Sequence, residues 1–87
     1  MAENQDIHES ELWIDRGDEF SNHDDFLRAI ECFGRALEYN TRSYTAYFKR
    51  GTIYEKIKDY SKAIIDFNNA IALNSDFSFA YFKRGGI

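Results

Sequence analysis

Apolar residues recur along the chain with helical spacing. Trp13, Gly17 and Phe20 lie at positions i, i+4 and i+7, which places them on one stripe of an α-helix. The same spacing recurs in a second segment that begins at Ala29. The pattern predicts a flexible N-terminal tail over 1–9. It then predicts five helices, near 10–22, 26–39, 44–57, 60–73 and 78–87.

The chain also repeats itself with a period of 34 residues. The segment AYFKRG at 46–51 recurs letter for letter at 80–85. A fixed period of this length is typical of stacked helical repeats, in which each unit packs on its neighbours. We therefore expect repeat 1 over 10–43, repeat 2 over 44–77, and the first helix of a truncated third repeat over 78–87.

Polar residues mark the predicted helix ends. Asp24 or Asp25 is expected to begin the second helix of repeat 1, because a carboxylate accepts otherwise unpaired backbone N–H groups. Asp59 holds the equivalent place in repeat 2. Asn40 and Asn74 are expected to close the second helices in the left-handed conformation that Asn tolerates.

Most aromatic residues fall at positions where the helices pack. We expect nine of the fifteen to be core residues. They are Trp13, Phe20, Phe26, Phe33, Tyr47, Tyr54, Tyr60, Phe67 and Tyr81.

These residues resemble the tetratricopeptide repeat, a helix–turn–helix unit of about 34 residues with an aromatic, Gly, aromatic, Ala, aromatic, Pro signature. The similarity extends over 10–87. It implies an all-α solenoid in which the first helix of each unit lines a concave groove, and a protein that binds other proteins without catalysing a reaction.

The sequence departs from the family pattern at two places in each unit. Arg16, Arg50 and Arg84 stand where the family usually has Leu, and Thr41 and Ser75 stand where a unit usually closes with Pro. The first change leaves the packing stripe intact, and the second predicts less rigid exit turns.

Charge is divided along the chain. Residues 1–43 hold eleven acids against four arginines, a balance of −7, while residues 44–87 hold seven bases against four acids, a balance of +3. The net charge of −4 argues against binding to nucleic acid or to anionic membranes. The single Cys32 allows no internal disulfide, which favours a reducing, cytoplasmic location.

The chain offers little catalytic chemistry. His8 and His23 are not at metal-ligand spacing, and Cys32 is expected to be a small buried group. We expect no catalytic residue, no metal site and no cofactor, so an enzyme is the weakest interpretation. An RNA-binding helical repeat is disfavoured by the acidic total and by the 34-residue period.

The candidate binding residues are aromatic and basic side chains on the predicted first helices. A phenylalanine beside a lysine is typical of a peptide-binding groove. The resemblance places in this groove the residues Phe48, Lys49, Thr52, Lys56, Phe79, Phe82 and Lys83. A peptide with apolar and acidic residues facing the lysines is the expected ligand.

Some family members hold the C-terminal carboxylate of heat-shock proteins with a clamp of Lys, Asn and Arg. The resemblance places the corresponding positions at Ile14, Asp18, Lys49, Phe79 and Lys83. Only Lys83 keeps the required charge, and Asp18 would repel a carboxylate. This pattern argues against a heat-shock tail as the ligand.

A structural function is the alternative. Residues 78–87 are rich in apolar side chains on all sides, whereas the terminal helix of a repeat array is normally polar on its outer face. The segment therefore predicts self-association, and the chain would then be a scaffold that assembles through its C-terminal helix.

Overall fold

The computed structural model describes residues 4–75, and the regular structure within that range is entirely helical. Consecutive helices pack as stacked hairpins: α1 on α2, α2 on α3, and α3 on α4. The predicted all-α repeat architecture is confirmed, while the predicted helix over 78–87 lies outside the described residues. The four helices are α1 (Asn4–Asn22), α2 (Phe26–Tyr39), α3 (Tyr44–Lys56) and α4 (Tyr60–Leu73).

The first helix begins earlier than the sequence predicts. Residues 4–9, expected in a tail over 1–9, form the first turns of α1. Ser10, at the predicted start, is buried, and its hydroxyl donates a 2.9 Å hydrogen bond to the backbone oxygen of Ala36 in α2. Ile7 lies one turn earlier on the same stripe, so the helical face continues past the predicted start.

The turn inside each hairpin follows one hydrogen-bonding scheme. In repeat 1, Asp24 adopts a left-handed φ of 60° and Asp25 donates its backbone N–H to Phe20 at 2.8 Å. In repeat 2, Lys58 adopts a φ of 65° and Asp59 donates to Tyr54 at 2.8 Å. Both are the Schellman ending of a helix.

The residue after each left-handed position then begins the next helix. The Asp25 carboxylate accepts the N–H of Arg28, and the Asp59 carboxylate accepts the N–H of Lys62, each at 3.4 Å. The expected N-caps are thus confirmed, with Asp25 rather than Asp24 in repeat 1. Ser43 caps α3 in the same way.

The expected closing conformation of the second helices is wrong. Asn40 and Asn74 have extended backbones, with φ of −141° and −143°. Each donates its own N–H to a helical oxygen, of Ala36 and Ala70 respectively, at 2.9 Å. The left-handed residues instead end the first helices, where the chain turns back within a hairpin.

Each hairpin is closed by a phenylalanine ring that fills the space left by a glycine. A Cβ on Gly17 would overlap the ring of Phe33, and a Cβ on Gly51 would lie 2.8 Å from Cε1 of Phe67. Both rings are almost fully buried. The small residues that flank them on α2 and α4 are fully buried as well: Ala29, Ala36, Ala63 and Ala70.

The other predicted core aromatics are less uniform. Trp13, Phe20, Phe26 and Tyr47 pack partly buried against the main cluster. Tyr60 is exposed, contrary to expectation, because it is the first residue of α4 and projects beyond the packed part of the hairpin. Tyr54 is half-buried, and Tyr81 lies outside the described residues.

A buried ion pair joins the two helices of repeat 2. The Arg50 guanidinium donates to both carboxylate oxygens of Asp66, at 2.8 and 2.9 Å. The Asp66 side chain is 3% exposed and that of Arg50 23%. The hydrogen bond to Asp66 raises the pKa of Arg50 above its ordinary value. The 34-residue shift places Cys32 opposite Arg16 in repeat 1, so only the second hairpin has this pair.

We expect Gly51→Ala to lower the free energy of unfolding by about 1–3 kcal/mol, because the Phe67 ring has to move from a packed position. Gly34→Ala is the matched control in a helix interior. Its Cβ would meet only Nη1 of Arg50, at 3.6 Å, so we expect a gain of about 0.5–1 kcal/mol from helix propensity. Thermal unfolding followed by circular dichroism measures both, and a loss of similar size in the two variants would contradict the packing argument.

We expect Asp66→Ala to lower the free energy of unfolding by about 2–4 kcal/mol, since Arg50 would keep a largely buried charge without a partner. Glu38→Ala removes an exposed pair with Arg35 and should change stability by less than about 0.5 kcal/mol. Urea denaturation of the three proteins is the measurement. Equal losses would show that burial does not set the strength of the Arg50 pair.

Candidate functional site

A groove runs between α1 and α3, the first helices of the two repeats. It contains two recesses that meet at one ion pair. We call them the α1 recess and the Phe48 recess. The α1 recess is lined by Ile7, Ser10, Glu11, Ile14, Asp15, Asp18, Asn40, Ser43, Thr45 and Lys49. The Phe48 recess is lined by Asp18, Ser21, Phe33, Phe48, Lys49, Thr52 and Ile53.

The ion pair at the junction joins Asp18 of α1 to Lys49 of α3. The Lys49 ammonium lies 2.9 Å from both carboxylate oxygens of Asp18. The two side chains remain 35–40% exposed, so water still reaches them. A pair of this kind contributes about 0–1 kcal/mol to stability, and either charge is available for exchange with a ligand.

The Phe48 recess has an apolar floor and one aromatic wall. Phe33 and Ile53 are buried at its base. Phe48 is half-buried because its ring lies 5.8 Å from the Phe67 ring, tilted by 44°. Thr52 donates its hydroxyl proton to the backbone oxygen of Phe48 at 2.9 Å, so that side chain offers a ligand an acceptor. The recess therefore combines an apolar floor and an aromatic wall with one hydroxyl acceptor.

The structure brings together three of the seven predicted binding residues: Phe48, Lys49 and Thr52. Lys56 lines neither recess, since its ammonium lies 5.6 Å from the ring centre of Phe26 in α2. The remaining three, Phe79, Phe82 and Lys83, lie outside the described residues.

The sequence interpretation assigned Phe33 to the core without seeing that its ring also reaches the groove. It gave Lys49 as one of the lysines that face the ligand, whereas the structure pairs it with Asp18. A signal for this pair was present in the sequence. The resemblance had already assigned Asp18 and Lys49, which carry opposite charges, to positions of one clamp in the groove.

The described positions of the carboxylate clamp differ from those of an anion site. Ile14 is buried, and Asp18 and Lys49 neutralise each other. A peptide carboxylate would reach Lys49 only by sharing it with, or displacing, the Asp18 carboxylate. The other clamp positions, Phe79 and Lys83, lie outside the described residues.

Cys32 and the two histidines lie outside both recesses. Burial, and secondarily the charge of Glu31, raises the pKa of the Cys32 thiol, which keeps it protonated and weakly nucleophilic near neutral pH. His8 and His23 are exposed. Within residues 4–75, no group of three or more His, Cys, Asp or Glu side chains is arranged so that it could hold a metal ion.

The helices of residues 4–75 are also too short or too polar to span a lipid bilayer.

Comparison with known proteins identifies the repeat. The sequence model of the tetratricopeptide repeat matches residues 44–77. No curated protein sequence matches the chain.

Solved structures with the same architecture are similar over nearly the whole chain. The second TPR domain of Spaghetti (RPAP3), bound to the HSP90 peptide SRMEEVD, is 30% identical with a TM-score of 0.91 and covers 94% of this chain and 76% of that chain. The second TPR domain of human RPAP3, in complex with the HSP70 peptide SGPTIEEVD, is 30% identical with a TM-score of 0.82. The match covers 93% of this chain and 65% of that chain.

The first TPR domain of Spaghetti (RPAP3), also bound to SRMEEVD, is 22% identical with a TM-score of 0.90. The match covers 92% of this chain and 64% of that chain. The chain thus spans slightly less than two thirds of two of these three domains. Since the structures of these three domains contain heat-shock peptides, the comparisons do not support the expectation that argued against such a tail as the ligand. The repeat match and the 30% identical domain show that the chain belongs to the tetratricopeptide repeat family.

Proposed function

We propose that this chain is a non-catalytic adaptor module that binds an extended peptide of a partner protein in the groove between α1 and α3. One observation carries the proposal: Phe48, Lys49 and Thr52 line a single recess that shares the Asp18–Lys49 pair with a second recess. Two adjoining recesses of different chemistry suit an extended peptide, whose successive side chains enter different pockets. The peptide-bound tetratricopeptide domains support this use of the fold.

The Phe48 recess supplies the apolar part of binding. Its floor of Phe33 and Ile53 is fixed by the core, so the pocket exists before the peptide arrives. Full burial of a leucine- or methionine-sized side chain contributes about 1.5–3 kcal/mol. A preformed floor limits the entropy that is lost when the complex forms.

The Asp18–Lys49 pair determines the sign of the ligand. A peptide carboxylate competes with Asp18 for the Lys49 ammonium, whereas a peptide lysine or arginine competes with Lys49 for Asp18. Glu11 and Asp15 add two exposed carboxylates to the α1 recess. The described part of the groove therefore favours a basic side chain in the α1 recess and an apolar side chain in the Phe48 recess.

This preference differs from the acidic ligand that the sequence alone suggested. That expectation had acidic residues of the peptide facing Lys49, Lys56 and Lys83. Lys49 is paired, and Lys56 is turned toward Phe26.

The test uses fluorescence anisotropy with two labelled peptides, the acidic SRMEEVD and a version in which both glutamates are replaced by lysine. Asp18→Asn should strengthen binding of the acidic peptide about threefold to tenfold, because it releases the Lys49 ammonium. Lys49→Gln should weaken the acidic peptide by a similar factor and strengthen the basic one. The wild-type protein should bind the basic peptide more tightly.

Glu38→Gln is the matched control, because it removes one carboxylate from an exposed pair on α2, away from both recesses. It should leave both affinities unchanged. If Asp18→Asn, Lys49→Gln and Glu38→Gln all behave like the wild type while the peptides bind, the ligand site lies elsewhere on the chain. If neither peptide binds any of the proteins, peptide binding by this groove is refuted for both signs of charge.

A further inference from the structure

The outer face of α1 carries a second surface, separate from the Phe48 recess. It is a shallow recess lined by Glu9, Leu12, Trp13, Asp15, Arg16 and Glu19. Leu12 is 46% exposed at its centre. The Arg16 guanidinium lies 5.1 Å from the centre of the Trp13 ring. Three carboxylates against one guanidinium make this face acidic around an apolar centre.

The equivalent face of α3, one repeat later, is packed against another helix. The 34-residue shift relates Leu12 to Ala46 and Glu19 to Ile53 on α3. Both α3 residues are buried, at 0% and 2% exposed, in one cluster with residues of α2. Leu12 and Glu19 therefore lie at positions of α1 that are equivalent to buried packing positions of α3. The exposure of Leu12 shows that nothing in the described structure covers this face of α1.

The chemistry of the face limits what can cover it. The surface of α2 that packs on α3 is apolar and includes Phe33 and Leu37. A second surface of that kind would bury three carboxylates against the single Arg16 guanidinium, which leaves buried negative charge unpaired and is strongly unfavourable. The occupant has to bring apolar side chains to Leu12 and Trp13 together with basic groups for the surrounding acids.

The chain itself contains a segment of this composition. Residues 77–87 read FSFAYFKRGGI, with four aromatic residues, two adjacent bases and no acid. We infer that residues 77–87 of a second copy dock on the outer face of α1, with the aromatic residues on Leu12 and Trp13 and with Lys83 and Arg84 facing the acids. The outer face of α1 is then the acceptor surface for the self-association that the sequence of residues 78–87 predicts.

The two halves of this contact differ, so the association is head-to-tail. Each copy offers one donor segment and one acceptor face, and copies add until a ring closes or a chain of copies grows. Attraction between an acidic face and a basic segment weakens as salt screens the charges.

The experiment is sedimentation velocity of the full-length chain at increasing concentration, in low and in molar salt, with the fluorescence of Trp13 recorded on the same samples. Trp13 is the single tryptophan and lies on the proposed interface, so its emission reports burial of that face. We expect larger species and a blue-shifted emission as concentration rises, and reversal of both in high salt. A monomer with unchanged Trp13 emission at all concentrations in low salt overturns the inference.

Leu12→Asp should weaken self-association at least about tenfold, since it puts a charge at the apolar centre of the face. Leu27→Asp is the matched control, the same substitution at a 77% exposed residue of α2 that does not line this face. It should associate as the wild type does. Similar behaviour of the two variants, with helix content retained, rules out the outer face of α1 as the acceptor.

A mixing experiment tests the donor segment. The double variant Lys83→Glu, Arg84→Glu keeps its acceptor face and loses its basic donor, whereas Leu12→Asp keeps the donor and loses the acceptor. Each should be monomeric alone, and an equimolar mixture should form a 1:1 complex that dissociates in high salt. Failure of the folded variants to combine overturns the head-to-tail arrangement.

Discussion

Both hairpins depend on a phenylalanine ring that occupies the volume of an absent side chain. Phe33 lies against Gly17, and Phe67 lies against Gly51. The close approach that results buries the alanines of α2 and α4 completely and fixes the distance between the helices of each unit. Phe33 also forms part of the floor of the Phe48 recess. The same ring therefore closes the fold and shapes the groove, so a change that loosens the first hairpin also alters the candidate binding site.

The sequence predicted those features that follow from periodicity. The helical spacing placed Phe33 and Phe67 in the core, and polar residues marked Asp59 and either Asp24 or Asp25 as N-caps, because each depends on local spacing along one chain. Features that depend on contacts between elements were not accessible in the same way. The hydrogen bond from Ser10 of α1 to Ala36 of α2, 26 residues away, is one such contact.

The charges of the site illustrate the same limit. The lysines of the predicted groove were expected to face acidic residues of a ligand, but whether a charge is available to a ligand depends on what faces it across the groove. The structure pairs Lys49 with Asp18 and turns Lys56 onto Phe26. Three of the seven predicted binding residues lie in one recess, and acids on a different helix line the recess that adjoins it.

The Arg50–Asp66 pair has a consequence for how the two units can be aligned. Sliding α4 along α3 by one turn would separate two largely buried charges, whereas the equivalent slip in repeat 1 would separate none, because Cys32 is neutral there. Repeated sequences are prone to exchange equivalent segments during folding. The Arg50–Asp66 pair therefore distinguishes the second hairpin from the first. If α2 took the place of α4, Cys32 would lie where Asp66 lies now, and Arg50 would lose its ion-pair partner.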